Sequence, residues 1–323
     1  MVQRLVSGHT LFIATHAEPL SHLSRTRAKF DAVPAQAYFV GSAIFHYLGP
    51  SFAVLLFARV DVLGVAWLRI ASAALVFAVV RRPWHKFFAA DRGAQVNIVA
   101  LGAVFAVMNV CFYESIDRLP LATVAAIEFI GPIGLALIGA RVGRNFAAVL
   151  VACGGVYLLT HVHFAGQPLG VGFALANAAL FTLYIILAHR IARSPAIAGI
   201  DGLAAAMVIA LVFVTSIGVT AAAHAFTDPV ALAAGVGVGL TSSVIPYVFD
   251  QLAMARLPRA TYALFVALLP ATAAIVGVIV LHQLPSVIEG AGIGLVMVGV
   301  VLHRPDAKRK PQRTPAAAKA GSQ

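Results

Sequence analysis

Two ionisable side chains of opposite sign, Glu128 and Arg69, stand inside apolar runs of this chain. Glu128 stands in the middle of the apolar run that opens at Leu119, about nine residues in, and Arg69 interrupts the stretch from Val62 to Val80. An ionisable group at membrane depth costs roughly 2.5–3.5 kcal/mol or more, so it lines a cavity or has a partner. A carboxylate can accept a substrate ammonium, and a guanidinium can clamp a substrate carboxylate through two parallel hydrogen bonds. The pair therefore suits a zwitterion, and a buried Glu128 can also exchange a proton for substrate. The structural alternative is an ion pair that holds two helices together.

Asn109 and Tyr113 join these two as candidate substrate- or proton-binding residues. Glu114 and Arg118 are four apart, the spacing of a helical ion pair. With Asp250 and Arg256 they form a second group, candidate gates at the two mouths of a pathway; interfacial charge pairing explains the same four residues. His46 and Asn177 add polarity within apolar runs, where helix–helix hydrogen bonding is the simpler role.

The elements that must position these residues are membrane spans. The chain is 61% apolar and 11% charged, with a mean hydropathy of +0.93. Soluble domains run near a quarter charged, so this composition cannot cover a water-facing surface. In hydrocarbon, helices satisfy their own backbone groups. Runs of roughly 17–25 apolar residues are long enough to cross, and the expected spans are 35–57, 62–80, 94–113, 119–140, 146–162, 169–188, 202–223, 229–253, 260–281 and 286–302. The expected fold class is an all-α integral membrane protein of about ten transmembrane helices.

A repeat orders the ten. Arg118-Leu119-Pro120 returns as Arg256-Leu257-Pro258, and Ala122, Thr123 and Ala125 return as Ala260, Thr261 and Ala263. Pro132, Ala136 and Gly139 match Pro270, Ala274 and Gly277 without a gap. Such duplication in a membrane protein points to a transporter. Five spans per half is an odd number, so the second half enters the membrane inverted. The expected units are a polar cytoplasmic tail (1–32), a first five-helix repeat (33–163), a second, inverted repeat (164–303) and a basic cytoplasmic tail (304–323).

Lysine and arginine set the orientation. With both termini cytoplasmic, about twenty basic residues lie inside, against Arg59 and Arg118 in outer loops. The second and fourth spans then run from outside to inside, and Arg69 and Glu128 sit roughly 12–14 Å below the outer surface at about 1.5 Å per residue. The net charge of +11 reflects this asymmetry and a tail that touches anionic headgroups. It does not indicate nucleic acid, since the basic clusters lack the aromatic interleaving of single-strand binders.

Other features are structural. Gly235 with Gly239, and Gly290 with Gly294, form two GxxxG faces for close helix packing. Cys111 and Cys153 give no disulfide framework or metal spacing, and act as small core residues. The tail histidines His9, His16 and His22 match no ligand pattern, so no metal or cofactor is expected. His161, His163 and His303 fall at span ends and can snorkel.

Phe112-Tyr113-Glu114-Ser115-Ile116, the Leu119-Pro120-Leu121 turn and Ala126-Ile127-Glu128-Phe129-Ile130-Gly131-Pro132-Ile133 resemble bacterial threonine/homoserine exporters, EamA-type members of the drug/metabolite transporter superfamily. Pro246-Tyr247-Val248-Phe249-Asp250 and Arg256-Leu257-Pro258 agree, and the likeness spans about residues 35 to 303. The resemblance implies inner-membrane efflux of small metabolites, typically amino acids, driven by the proton gradient. Two positions depart from the pattern. His282-Gln283 stands where such proteins often carry glycine-glutamate, and Leu269 stands where a carboxylate often precedes the proline. Glu128 must then carry more of any proton coupling.

The partners expected are a small-molecule substrate, protons and bilayer lipid, with a homodimer compatible with the chain. Uptake or exchange of another solute, such as a sugar or drug-like cation, is the alternative within transport. An enzyme would need a nucleophile–base or metal constellation, and neither His-x-x-Glu-His nor His-Glu-x-x-His occurs. A non-transporting scaffold would leave a buried Glu128 without a use.

Overall fold

The structure is a computed structural model that describes residues 33–131, 133–134, 143–164, 166–192, 199–254, 256 and 268–302. The regular structure among the described residues is all helical, with no strand. Among the described residues, six helices are long and apolar enough to cross a membrane: Ala35–Leu56, Val62–Arg81, Arg92–Ile116, and then the helices Gly143–Phe164, Pro168–Ala192 and Gly199–Gly218. These are the first, second, third, fifth, sixth and seventh spans. A short helix, Trp84–Ala89, links the second to the third.

The other four spans are described in shorter pieces. The fourth opens as Leu121–Glu128 and is interrupted at Phe129. The eighth joins Pro229–Gly239 to Ile245–Met254 through a π-helical turn, Leu240–Val244. Leu269–Leu281 is the described part of the ninth, and Val287–Leu302 is the tenth. Together they make an all-α membrane protein of about ten helices, as the apolar runs predict. Both tails, and parts of the fourth and ninth spans, lie outside the described residues.

Local chemistry fixes several boundaries. Asp61 accepts from the Leu63 N–H, Asp91 from Ala94 and Asp228 from Val230, each opening a helix. Such caps satisfy backbone donors that have no intrahelical partner. The second span ends at Arg82 (φ 46°) and the ninth at His282 (φ 56°), both in the left-handed region. Large apolar side chains point outward along the bundle, among them Leu75, Val79, Val212 and Ile279. Hydrocarbon, unlike water, is a favourable neighbour for them.

The packing repeats with a shift of five spans. The fifth span packs on the tenth, the second on the seventh and the fourth on the ninth, each against its own counterpart. Contacts of the third with the sixth recur as the eighth with the first. Those of the third with the seventh recur as the eighth with the second, and those of the fourth with the sixth as the ninth with the first.

One set of polar contacts lies at the two ends of the bundle. At the basic end, the buried Asp201 carboxylate takes Arg81 at 2.6 Å and also Lys86. There Arg144 donates to the Leu302 carbonyl at 2.8 Å. At the other end, Arg59 pairs with Asp228 at 3.1 Å. The Gln283 Oε1 accepts from the Leu121 N–H at 3.0 Å, capping the fourth span from the ninth-to-tenth connection.

The glycine faces divide. Gly235 and Gly239 press on the second span: a Cβ there would lie 2.5 Å from Leu68 Cδ1 and 1.8 Å from Ser72 Oγ. Gly290 and Gly294 do not pack as expected, since a Cβ at either would meet nothing within 4 Å. The contact face of the tenth span is carried by Gly292 and Gly299 instead. They abut Gly155, Leu159, Ala148 and Ala152 of the fifth span. Both pairs repeat at helical spacing, and helix rotation chooses between them.

Candidate substrate site

Arg69, on the second span, is held by the third and the eighth. Its Nη1 donates to Asn109 Oδ1 at 3.0 Å, and its Nε donates to Ser243 Oγ at 3.3 Å. The guanidinium carbon lies 5.5 Å from the Tyr113 ring centroid and 5.9 Å from that of Phe112. Cation–π contacts contribute about 0.5–2 kcal/mol depending on desolvation, and they fix the plane of the fork. Asn109 is itself tied down, its Nδ2 donating to the Ala66 carbonyl at 3.0 Å. The second, third and eighth spans therefore converge on this cation.

Glu128 is held separately. It closes the intact helix Leu121–Glu128, next to the interruption at Phe129, and accepts from Asn177 Nδ2 of the sixth span at 3.2 Å. The rest of the Asn177 amide is unmatched: its Oδ1 is buried without a hydrogen-bond partner. None of the ion pairs within 4.0 Å joins Arg69 to Glu128. Their charges nonetheless act on one another. Neighbouring residues of the first span address both, with His46 in the field of Arg69 and Tyr47 in that of Glu128.

Of the four binding candidates, Arg69, Asn109 and Tyr113 form one cluster, and Glu128 is bonded to Asn177 instead. Broken helices are the usual way a transporter brings polar atoms to mid-membrane, and π turns recur at functional sites. The eighth-span turn has a local cause. Pro246 has no N–H and its ring crowds the preceding turn, and the Ile245 N–H bonds to Leu240 five residues back.

The gate candidates are partly matched. Arg118 pairs with Glu114 at 2.6 Å and reaches Asp117 at 3.5 Å, with its guanidinium over the Phe173 ring. At the basic end, Arg256 donates to the Val33 carbonyl at 3.3 Å and lies over the Tyr38 ring. The Asp250 side chain lies outside the described residues.

Three polar residues did not stand out in the sequence. Ser243 is a small residue whose role depends on a turn that hydropathy does not reveal. Glu289 of the tenth span is buried, pairs with His163 of the fifth at 2.8 Å, and accepts from the Ser286 N–H at 2.7 Å. The Ser286-Val287-Ile288-Glu289 capping pattern was the available signal. Asp201, 1% exposed, opens the seventh span and could have been sought as the partner of Arg81. Beside Glu289, a cavity of about 140 Å³ is lined by Pro120, Thr123, Gly277 and Gln283. No group of three or more potential metal ligands occurs among the described residues.

Comparison with known proteins agrees with this architecture. No family model matches the chain. It is 31% identical over 258 residues to the threonine/homoserine exporter RhtA of Escherichia coli (strain K12), covering 77% of this chain and 84% of the relative. It is 30% identical over 273 residues to the threonine/homoserine exporter RhtA of Salmonella typhimurium (strain SL1344), covering 82% and 89%. A crystal structure of a protein 18% identical superimposes with a TM-score of 0.51 over 83% of this chain and 97% of that one, a likeness of fold alone. With its apolar helices and these relatives, the chain belongs to the threonine/homoserine exporter family of drug/metabolite transporters, multi-pass proteins of the bacterial inner membrane.

Proposed function

We propose that this protein exports amino acids of the threonine and homoserine kind, exchanging them for protons at Glu128. The relatives bear that name. The observation that carries the reading is that Arg69 and Glu128 are each hydrogen-bonded to other residues and not paired with each other. Two opposite charges kept apart inside apolar helices suit a ligand that carries both signs. In this scheme the substrate carboxylate docks on the guanidinium, and its ammonium docks on Glu128 with Asn177 Oδ1 as a second acceptor. Uptake of a proton by Glu128 neutralises the ammonium subsite and releases the substrate.

The halves 33–163 and 164–303 move against one another as inverted repeats, with both termini in the cytoplasm. The five-span shift in packing supports this, as does the crowding of basic residues at one end. Glu114 with Arg118, and Asp250 with Arg256, close opposite mouths. The substrate is moved and not chemically altered.

Reconstitution in sealed vesicles tests the reading. Labelled threonine or homoserine should cross intact vesicles unaltered, and an imposed pH gradient should drive it. Glu128→Gln should abolish the gradient-driven flux while the protein remains folded. Wild-type flux in that variant would remove Glu128 from the coupling.

A further inference from the structure

The cluster around Arg69 contains two buried hydroxyls that the scheme above does not use. Tyr113 is 0% exposed and Ser242 is 2% exposed. The Tyr113 ring lies under Arg69, and Ser243, the neighbour of Ser242, takes the Arg69 Nε–H; Tyr113 Oη and Ser242 Oγ are both buried without a hydrogen-bond partner. Nearly all buried polar groups are hydrogen-bonded, and leaving one unmatched costs about 1–3 kcal/mol. Two such orphans side by side, next to a cation, mark a place where a polar group of a ligand completes the bonding.

The fold brings them there deliberately in two steps. The π turn Leu240–Val244 adds a residue to the helical turn, so Ser242 and Ser243 are both turned into the bundle. Ser243 takes the Arg69 Nε–H, and Ser242 is left for another partner. Behind it stands Gly49 of the first span, where a Cβ would lie 2.1 Å from Ser242 Oγ. The tyrosine ring, stacked by Arg69, is fixed as well.

We infer that Tyr113 and Ser242 form a subsite for the side-chain hydroxyl of the transported amino acid, beside the arginine that takes its carboxylate. The inference rests on the export reading and adds its specificity. A hydroxyl donates one hydrogen bond and accepts others, so it can satisfy both orphans at once. In a β- or γ-hydroxy amino acid that group is only two or three carbons from the carboxylate carbon. One pocket next to Arg69 therefore serves both. A site built around a substrate hydroxyl discriminates against the analogue without it, because its own polar atoms are then left unpaired.

One probe tests this for both substrates, since removing the hydroxyl from threonine or from homoserine gives 2-aminobutyrate. In vesicles, the wild-type protein should transport threonine and homoserine at least about tenfold better than 2-aminobutyrate, judged by kcat/KM. Ser242→Ala and Tyr113→Phe, which each delete one hydroxyl, should each bring that ratio down by about five- to tenfold. Equal transport of all three by the wild type, needing no variant, would overturn the subsite and leave the export reading standing. A ratio that survives both substitutions would overturn it too. Transport of none of the three would sink the export reading and the subsite with it.

Discussion

Asn177 Nδ2 donates to Glu128 Oε1 at 3.2 Å, so the acid of the fourth span is held by an amide from the sixth. A charged hydrogen bond contributes about 1.5–3 kcal/mol, so Asn177→Ala should lower gradient-driven flux by about tenfold or more. Asn177→Gln should not restore it, because the longer arm moves the donor. Vesicle transport with pH jumps measures both.

Arg69→Lys keeps the charge and loses the rest. The lysine ammonium is a point charge that cannot bond Asn109, Ser243 and a substrate carboxylate in one plane, and it forfeits the face-on contact with Tyr113 and Phe112. Loss of one charged hydrogen bond corresponds to a fall of about ten- to a hundredfold in kcat/KM. Counterflow of labelled threonine gives the number. An unchanged value would place the carboxylate elsewhere.

Glycine substitutions should separate by face. Gly239→Ala puts a methyl group 1.8 Å from Ser72 Oγ and 2.7 Å from the Arg69 carbonyl. Overpacking of this kind costs about 1–3 kcal/mol, and here it also strains the backbone that carries Arg69. Gly290→Ala has open space around it and should be neutral in thermal unfolding in detergent.

Asp228 gives a pH signature outside the membrane. The backbone N–H of Ala231 is the largest influence holding its carboxyl below the ordinary aspartate value, with Arg59 and Val230 adding to it. A group lowered in the folded state contributes stability above its unfolded value and loses that contribution as pH falls through the folded one. Asp228→Ala should therefore unfold at a lower temperature than wild type at pH 7. The difference should narrow only below the ordinary aspartate range, about pH 4.

The sequence by itself determined what depends on neighbours along one helix. Apolar length gave the spans, the four-residue spacing gave the Glu114–Arg118 pair, and the interruption of apolar runs singled out Glu128 and Arg69. The matched Arg-Leu-Pro turns indicated a duplication, whose second copy lies largely outside the described residues. Tertiary structure decided which side chains meet. Arg69 bonds residues 40 and 174 positions away, and His163 finds Glu289 across 126. It also selected Gly292 and Gly299 over Gly290 and Gly294 as the packing face. The physical reason is that composition sets whether a helix enters the bilayer, whereas its rotation and depth against its neighbours set its contacts. In hydrocarbon every apolar face is equally welcome to the lipid, so hydropathy leaves that rotation open and close packing and buried hydrogen bonds fix it.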